Sequence, residues 1–260
     1  AGQAAVAIEN AQTFEQERTV ASTLQQSFLP PATIELPGFE VDRLYEPAFA
    51  AALVGGDYYD FIELPDGKLG VVMGDVCGKG VTAAVFTAMA KYMLRAYAVE
   101  DPSPAAVITR LNRSLYNQMS EDCMFVTMVY GVLDTRTGDF TYVNAAHPHP
   151  LIYHPERDEC LELTTTGGLV GALSAMEFHE QRARLEPGAI LLLYTDGVTE
   201  ARTGHEMLEI QGVQAVLRQA AASSAHTICE LVYRRALEFS GGSLKDDVAI
   251  VAIRAKGPGR

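Results

Sequence analysis

The sequence predicts an α+β fold, an antiparallel sheet system with helices packed outside it. Three observations carry that expectation. Strand-like segments come in hairpin blocks, helix-like segments come in pairs, and a simple alternation of strand and helix is absent.

The elements follow in chain order. Residues 3–28 hold no Gly or Pro, and apolar residues recur at Val6, Phe14, Val20, Leu24 and Phe28. A long helix is expected there, ended by Pro30 and Pro31. Its apolar stripe is thin. It is read as an interdomain or dimerisation helix, paired with its own copy through those five residues, against the plainer reading of an ordinary first helix. "FEVDRLYEP" reads as a strand. "YYDFIEL" and "KLGVVMGDV" flank Pro65-Asp66-Gly67 and form a hairpin. Asp60, within the first of these, is taken as a surface strand residue. Helices are expected over 81–98 and 103–119, the second capped by Ser103 with Pro104 at its first position. "MFVTMVYGVLD", "FTYVNAA" and "HPLIYH" follow as strands. "AILLLYTDG" is a buried strand, helices fall near 212–222 and 225–239, and "DVAIVAIRA" closes the chain as a buried strand.

Bulk properties narrow the function classes. The chain has 260 residues, 48% hydrophobic, with a formal net charge of −13. That is enough for a sizeable core, and it argues against a nucleic-acid partner, which calls for a basic patch. No apolar run approaches the ~20 residues of a membrane span, and the N-terminus lacks a signal-peptide pattern. A cytoplasmic protein is expected, and the start at Ala1 reads as a piece of something longer. The four cysteines are far apart, which argues against a zinc finger and suggests buried reduced thiols.

The chemistry concentrates in aspartates at strand ends. Asp75 ends "GVVMG", Asp196 ends "ILLLYT", Asp246 and Asp247 precede "VAIVAI", and Asp57 follows "LVGG". Carboxylates at the ends of buried strands are costly unless paired or bound to a cation. Converging at one sheet end, they would form a hard-oxygen site for Mg²⁺ or Mn²⁺. Taken singly, each also has a plain reading as a turn, a cap or a solvated strand start. The stretch "VVMGDVCGKGVTAA" invites a phosphate-loop reading, which fails. Gly74 and Gly78 are three residues apart rather than four, and Lys79 is followed by Gly80. Its glycines instead suit close backbone approach to a metal cluster, with the Val76 carbonyl as a possible ligand.

"GGDYYD", "GDVCGKG", "NAAHPHPLI", "LLLYTDGVTEA" and "KDDVAIV", in this order and spacing, resemble the bacterial metal-dependent serine/threonine phosphatases of the PPM (protein phosphatase 2C) superfamily, SpoIIE/RsbU-like branch. "LQQSFLPP" resembles the lead-in of the same branch, and the resemblance spans roughly residues 24–253. "AGQAAVAIENAQTFEQE" resembles the last helix of a GAF sensor domain. The implied organisation is a linker and dimerisation helix over 1–28 and a phosphatase domain over 29–260. The implied fold is a four-layer α-β-β-α sandwich with two Mn²⁺ or Mg²⁺ ions at one end.

The resemblance implies that Asp75 bridges both metals, that Asp196 and Asp246 complete one, and that Asp57 and the Val76 carbonyl complete the other. Asp247 is a further contributor, and Gly78, Lys79 and Gly197 lie near the substrate. Many relatives carry a histidine where this chain has Cys77. The leaving-group acid is therefore open, with metal-bound water the first candidate. His147 falls in the family's Asn-Ala-Gly-His segment, with Ala146 in place of the glycine, and a structural role is expected. The implied activity is hydrolysis of phosphoserine or phosphothreonine by metal-activated water. The implied substrate is a phosphorylated STAS-domain anti-sigma-factor antagonist, and the implied setting is an upstream GAF-like sensor in the same chain, a homodimer and no membrane. The alternative is a catalytically silent module that keeps the fold for docking.

Overall fold

The computed structural model describes residues 34–47, 56–119 and 124–257, together with positions 6, 12, 13, 19 and 30. Val6, Gln12, Thr13 and Thr19 are helical, and Val6 is exposed. The expectation for Phe14, Val20, Leu24 and Phe28 lies outside the described residues.

Twelve strands are described: β1 Phe39–Glu46, β2 Asp57–Leu64, β3 Lys68–Val76, β4 Val126–Asp134, β5 Asp139–Ala145, β6 Leu151–His154, β7 Glu159–Glu162, β8 Gln181–Arg184, β9 Ile190–Tyr194, β10 Arg202–Thr203, β11 Glu206–Met207 and β12 Val248–Ala255. The helices are α1 Val81–Glu100, α2 Pro104–Met119, α3 Asp196–Thr199, α4 Glu209–Gln219 and α5 Ala225–Phe239. One sheet has the order β2-β3-β4-β5-β8 and the other β1-β12-β9-β6-β7, and all their pairings are antiparallel. The hairpin at Pro65-Asp66-Gly67 forms as expected, with Asp66 at φ 61°. Ser103 caps α2, its hydroxyl accepting from the Ala106 amide at 3.2 Å. The helix placed near 212–222 begins earlier, at Glu209, and ends at Gln219.

Three apolar layers hold the sandwich together. Tyr59, Val71, Met73 and Val129 of the first sheet meet Leu191, Leu193, Val251 and Ile253 of the second. On the outer face of the first sheet, Tyr58, Ile62, Val72 and Tyr130 pack against Phe86, Leu94, Ile108 and Leu111 of α1 and α2. On the outer face of the second, Leu192, Tyr194 and Ile250 pack against α4 and α5 through Val213, Leu217, Ile228 and Val232. Both faces of each sheet are thus covered, which explains why the central strands read as continuous apolar runs.

That coverage overturns the reading of Asp60. Tyr58, Asp60 and Ile62 share the face of β2 that lies under α1, so Asp60 is only 2% exposed. Its carboxylate pairs with Lys91 Nζ at 3.4 Å and Arg95 at 2.6 Å. The thiols also need correction. Cys229 is buried, but Cys77 and Cys160 are half-buried, and all three are free; Cys123 lies outside the described residues. Among the described residues no helix is long and apolar enough to cross a membrane.

Candidate metal centre

Strand register sets the first part of the site. Asp57 opens β2 directly opposite Asp75 on β3, and Asp75 lies opposite Thr127 on β4. Residues opposite one another in an antiparallel pair project to the same face, with Cβ atoms about 4.5–5.5 Å apart. By alternation with Tyr59, Met73 and Val129, this face is the one between the sheets. Asp57, Asp75 and Thr127 therefore form a row at one end of the sandwich.

The second sheet supplies the facing groups. Thr195 follows β9, and Asp196 begins α3. Thr195 Oγ1 accepts from the Ala249 amide at 3.0 Å, which ties this turn to β12. Asp247 stands just before β12, is 7% exposed and accepts a hydrogen bond from the Tyr45 hydroxyl at 2.9 Å. Asp246 lies on the outer lip, half-exposed, and pairs with Lys79 at 3.2 Å. That ion pair joins the Gly-rich turn before α1 to the start of β12.

Two glycines allow this convergence. A Cβ on Gly56 would lie 2.0 Å from the Val76 carbonyl oxygen and 2.6 Å from Asp75 Oδ1. A Cβ on Gly197 would lie 2.0 Å from the Asp247 carbonyl oxygen. Any larger residue at either position would push apart the strand ends that carry the carboxylates. Gly78, at φ 104°, turns the chain beside Lys79.

The electrostatics are those of crowded anions. Burial raises the Asp57 carboxyl well above its ordinary value, and Asp75 adds to the effect, while a hydrogen bond from Thr195 opposes it. Asp75 is pushed up to about 7, first by burial and then by Asp196, Asp246 and Asp247. Asp196 is also raised, by burial and then by Asp246. Like charges gathered in a low-dielectric site hold protons unless a cation replaces them. Asp57 Oδ2 is buried and has no hydrogen-bond partner, so it is an acceptor in want of a donor or a cation.

This donor set fits a hard divalent cation. The groups are carboxylates plus the Val76 carbonyl, the chemistry Mg²⁺ and Mn²⁺ favour. Among the described residues no three His, Cys, Asp or Glu side chains form a ready-made cage. The backbone carbonyl and water would have to complete the coordination, as Mg²⁺ commonly requires. All the aspartates picked out from the sequence, with Val76, Lys79, Gly78 and Gly197, fall at this end of the sandwich. Sequence reasoning missed Tyr45, Thr127 and Thr195. The only signal for them was their position at strand ends, facing the aspartates once register is known.

Residues 65–256 match the sequence profile of Stage II sporulation protein E (SpoIIE). The chain belongs to the SpoIIE family. It carries that family's PP2C-type phosphatase domain. It is similar to the phosphoserine phosphatase RsbU of Bacillus subtilis, at 28% identity over 94% of this chain and 72% of RsbU. It spans 40% of the length of two longer curated relatives. Among solved structures, the SiaA-PP2C domain of Pseudomonas aeruginosa superposes with a TM-score of 0.79 at 20% identity, covering 96% of this chain and 99% of that one. RsbX, solved in complex with magnesium, superposes with a TM-score of 0.64 at 17% identity over 85% of this chain and 97% of its own. These two likenesses establish the shared fold.

Proposed function

We propose that the chain is a divalent-metal-dependent phosphoserine/phosphothreonine phosphatase acting on a regulatory protein. The observation that carries this reading is the meeting of five aspartates at one end of a SpoIIE-family sandwich, with a buried carboxylate oxygen left unpartnered. Asp57, Asp75 and the Val76 carbonyl would hold one metal, and Asp75, Asp196 and Asp246 the other. Asp247, engaged by Tyr45, supports the set from behind. Bound there, the metals supply a nucleophile at neutral pH and neutralise charge on the phosphoryl group.

The chain's own groups have distinct tasks. Asp57 and Asp75 are brought together across the β2–β3 register, close enough for Asp75 to accept a hydrogen bond from Asp57. A cation held there would displace that proton. Lys79, on the exposed lip, would be free to meet a phosphate oxygen if Asp246 served a metal. Gly56 and Gly197 keep both sheet ends close. Following the resemblance to the RsbU-like branch, we assign the substrate class as a phosphorylated STAS-domain anti-sigma-factor antagonist, with an upstream sensor as regulator.

The test is turnover of p-nitrophenyl phosphate and of a phosphoserine protein with Mn²⁺ or Mg²⁺. Activity should vanish with chelator, return with metal, and be abolished in Asp75→Asn or Asp196→Asn while the fold survives. Turnover that persists after exhaustive chelation would refute the metal-dependent reading.

A further inference from the structure

A cleft opens beside the candidate metal centre and shares two residues with it, Gly197 and Asp246. It lies between the segment that leads from α3 into β10 and the loop that leads from α5 to β12. Both borders are anchored. On one side the Thr203 hydroxyl donates to the Phe239 carbonyl at the end of α5, and the Leu208 amide donates to the Ala201 carbonyl at 3.0 Å. On the other, the Gly241 and Gly242 amides donate to the Glu238 and Leu237 carbonyls at 3.1 and 2.8 Å, which turns the chain out of α5 toward Leu244 and Lys245. Ala201 and Leu244, 3% and 6% exposed, give the cleft an apolar base. Its volume is about 200 Å³, below the about 300–1,000 Å³ usual for a cofactor or small-molecule site. It suits a single side chain.

The charges that line it leave a surplus. Arg202 pairs with Glu200 at 3.2 Å, and Asp246 pairs with Lys79 at 3.2 Å. Lys245 also lines the cleft, is exposed, and forms no ion pair among the described residues. The chain as a whole is acidic, with a formal net charge of −13. A local cation here therefore favours an anionic group that the surface at large repels. Position says what that group belongs to. A phosphoserine held at the proposed metals would lie beside Asp246, and the next residues of an extended chain follow at about 3.3–3.6 Å each. The side chain one or two places from the phosphoserine would reach this cleft.

We propose that the cleft is a specificity subsite for the substrate protein: it takes a glutamate one or two residues from the phosphoserine, with Lys245 pairing its carboxylate and Ala201 and Leu244 covering its methylenes. The inference rests on the phosphatase reading above and adds to it the chemistry of the sequence around the phosphoserine.

Synthetic phosphoserine peptides test it, with Mn²⁺ and the full chain. One set carries a single Glu at one or two places to either side of the phosphoserine, and the reference peptide carries Ala there. An enzyme discriminates by the ratio of kcat/KM values, and reading each variant as such a ratio cancels damage to the metal centre. In wild type, kcat/KM should favour one Glu position by about three- to fivefold over Ala, the size of one exposed ion pair. The preference should shrink in concentrated salt. Lys245→Met should erase it, Lys245→Arg should keep it, and Lys245→Glu should transfer it to a peptide with Lys at that position. A Glu preference that survives in Lys245→Met would overturn the inference. So would equal turnover of Glu and Ala peptides by wild type, or turnover of neither while p-nitrophenyl phosphate is hydrolysed; each leaves the phosphatase reading standing. Wild type that hydrolyses no phosphoester with Mn²⁺ present would overturn the phosphatase reading itself.

Discussion

Replacing Lys91 by Met puts the seam between α1 and β2 to a quantitative test. Lys91 and Asp60 are 5% and 2% exposed at the side chain, and they approach to 3.4 Å. Thr87, Lys91 and Arg95 lie at successive four-residue steps on one face of α1. They meet the Gly56 carbonyl at 3.5 Å, Asp60, and Asp60 with the Phe61 carbonyl, respectively. Removing one partner of a buried ion pair costs about 3–5 kcal/mol, because the other charge stays buried. Arg95 remains at 2.6 Å but is 43% exposed and partly solvated, so it offsets only part of that loss. The expected destabilisation is about 3 kcal/mol, at the low end of that range. For a domain of this size it corresponds to a fall of about 6–12 °C in melting temperature. Urea unfolding of metal-free wild type, Lys91→Met, Asp60→Asn and the double variant would measure it. The double variant should recover much of the loss, since it leaves no buried carboxylate at the seam and Arg95, 43% exposed, can turn to solvent. A Lys91→Met cost below about 1 kcal/mol, the level of an exposed pair, would refute the claim that this pair is buried and structural.

Three further outcomes are expected. Because folded Asp75 titrates at about 7 against an ordinary 3.8, the folded protein keeps a proton that the unfolded chain releases as pH rises from about 4. Its contribution to metal-free stability is therefore full below about pH 4 and is lost, by about 4 kcal/mol, as pH climbs to 7. Metal-free Asp75→Asn should melt higher than wild type at pH 8, with the gap closing near pH 4; melts across that range check this. Gly197→Ala, whose Cβ would lie 2.0 Å from the Asp247 carbonyl oxygen, should cost about 1–3 kcal/mol and weaken Mn²⁺ uptake, read by denaturation and calorimetry. If the dimer expected from the sequence through residues 6–28 forms, charged residues at Phe14 and Leu24 should shift the chain toward monomer in sedimentation.

Much of the fold was legible because its signals are local. Pro65-Asp66-Gly67 between two apolar runs marks the β2–β3 hairpin, and Ser103-Pro104 marks the start of α2. The short edge strands β7 and β8, "ECLE" and "QRAR", carried no such signal. β7 alternates exposed and half-buried residues and β8 is mostly exposed, so neither carries the fully buried apolar side chains that mark the central strands. Asp60 was misread for the opposite reason. A polar residue in a strand suggests a solvent face, but β2 has none, and the charge is matched by Lys91 and Arg95 some thirty residues away.

The candidate site divides along the same line. Aspartates beside glycine at the ends of apolar strands stand out in the sequence, because a carboxylate there is costly without a reason. Tyr45, Thr127 and Thr195 do not stand out, since a hydroxyl at a strand end is ordinary. Their importance arises only when register places Thr127 opposite Asp75, and when the second sheet brings Tyr45 to Asp247 and Thr195 to the face of Asp57. These are relations between strands that are far apart in the chain. A one-residue slip of β4 against β3 would turn Thr127 away from Asp75 and toward α1 and α2 without altering any motif. The ligands of the proposed centre are thus written in the motifs, while the groups that orient them are written in the pairing of the sheets.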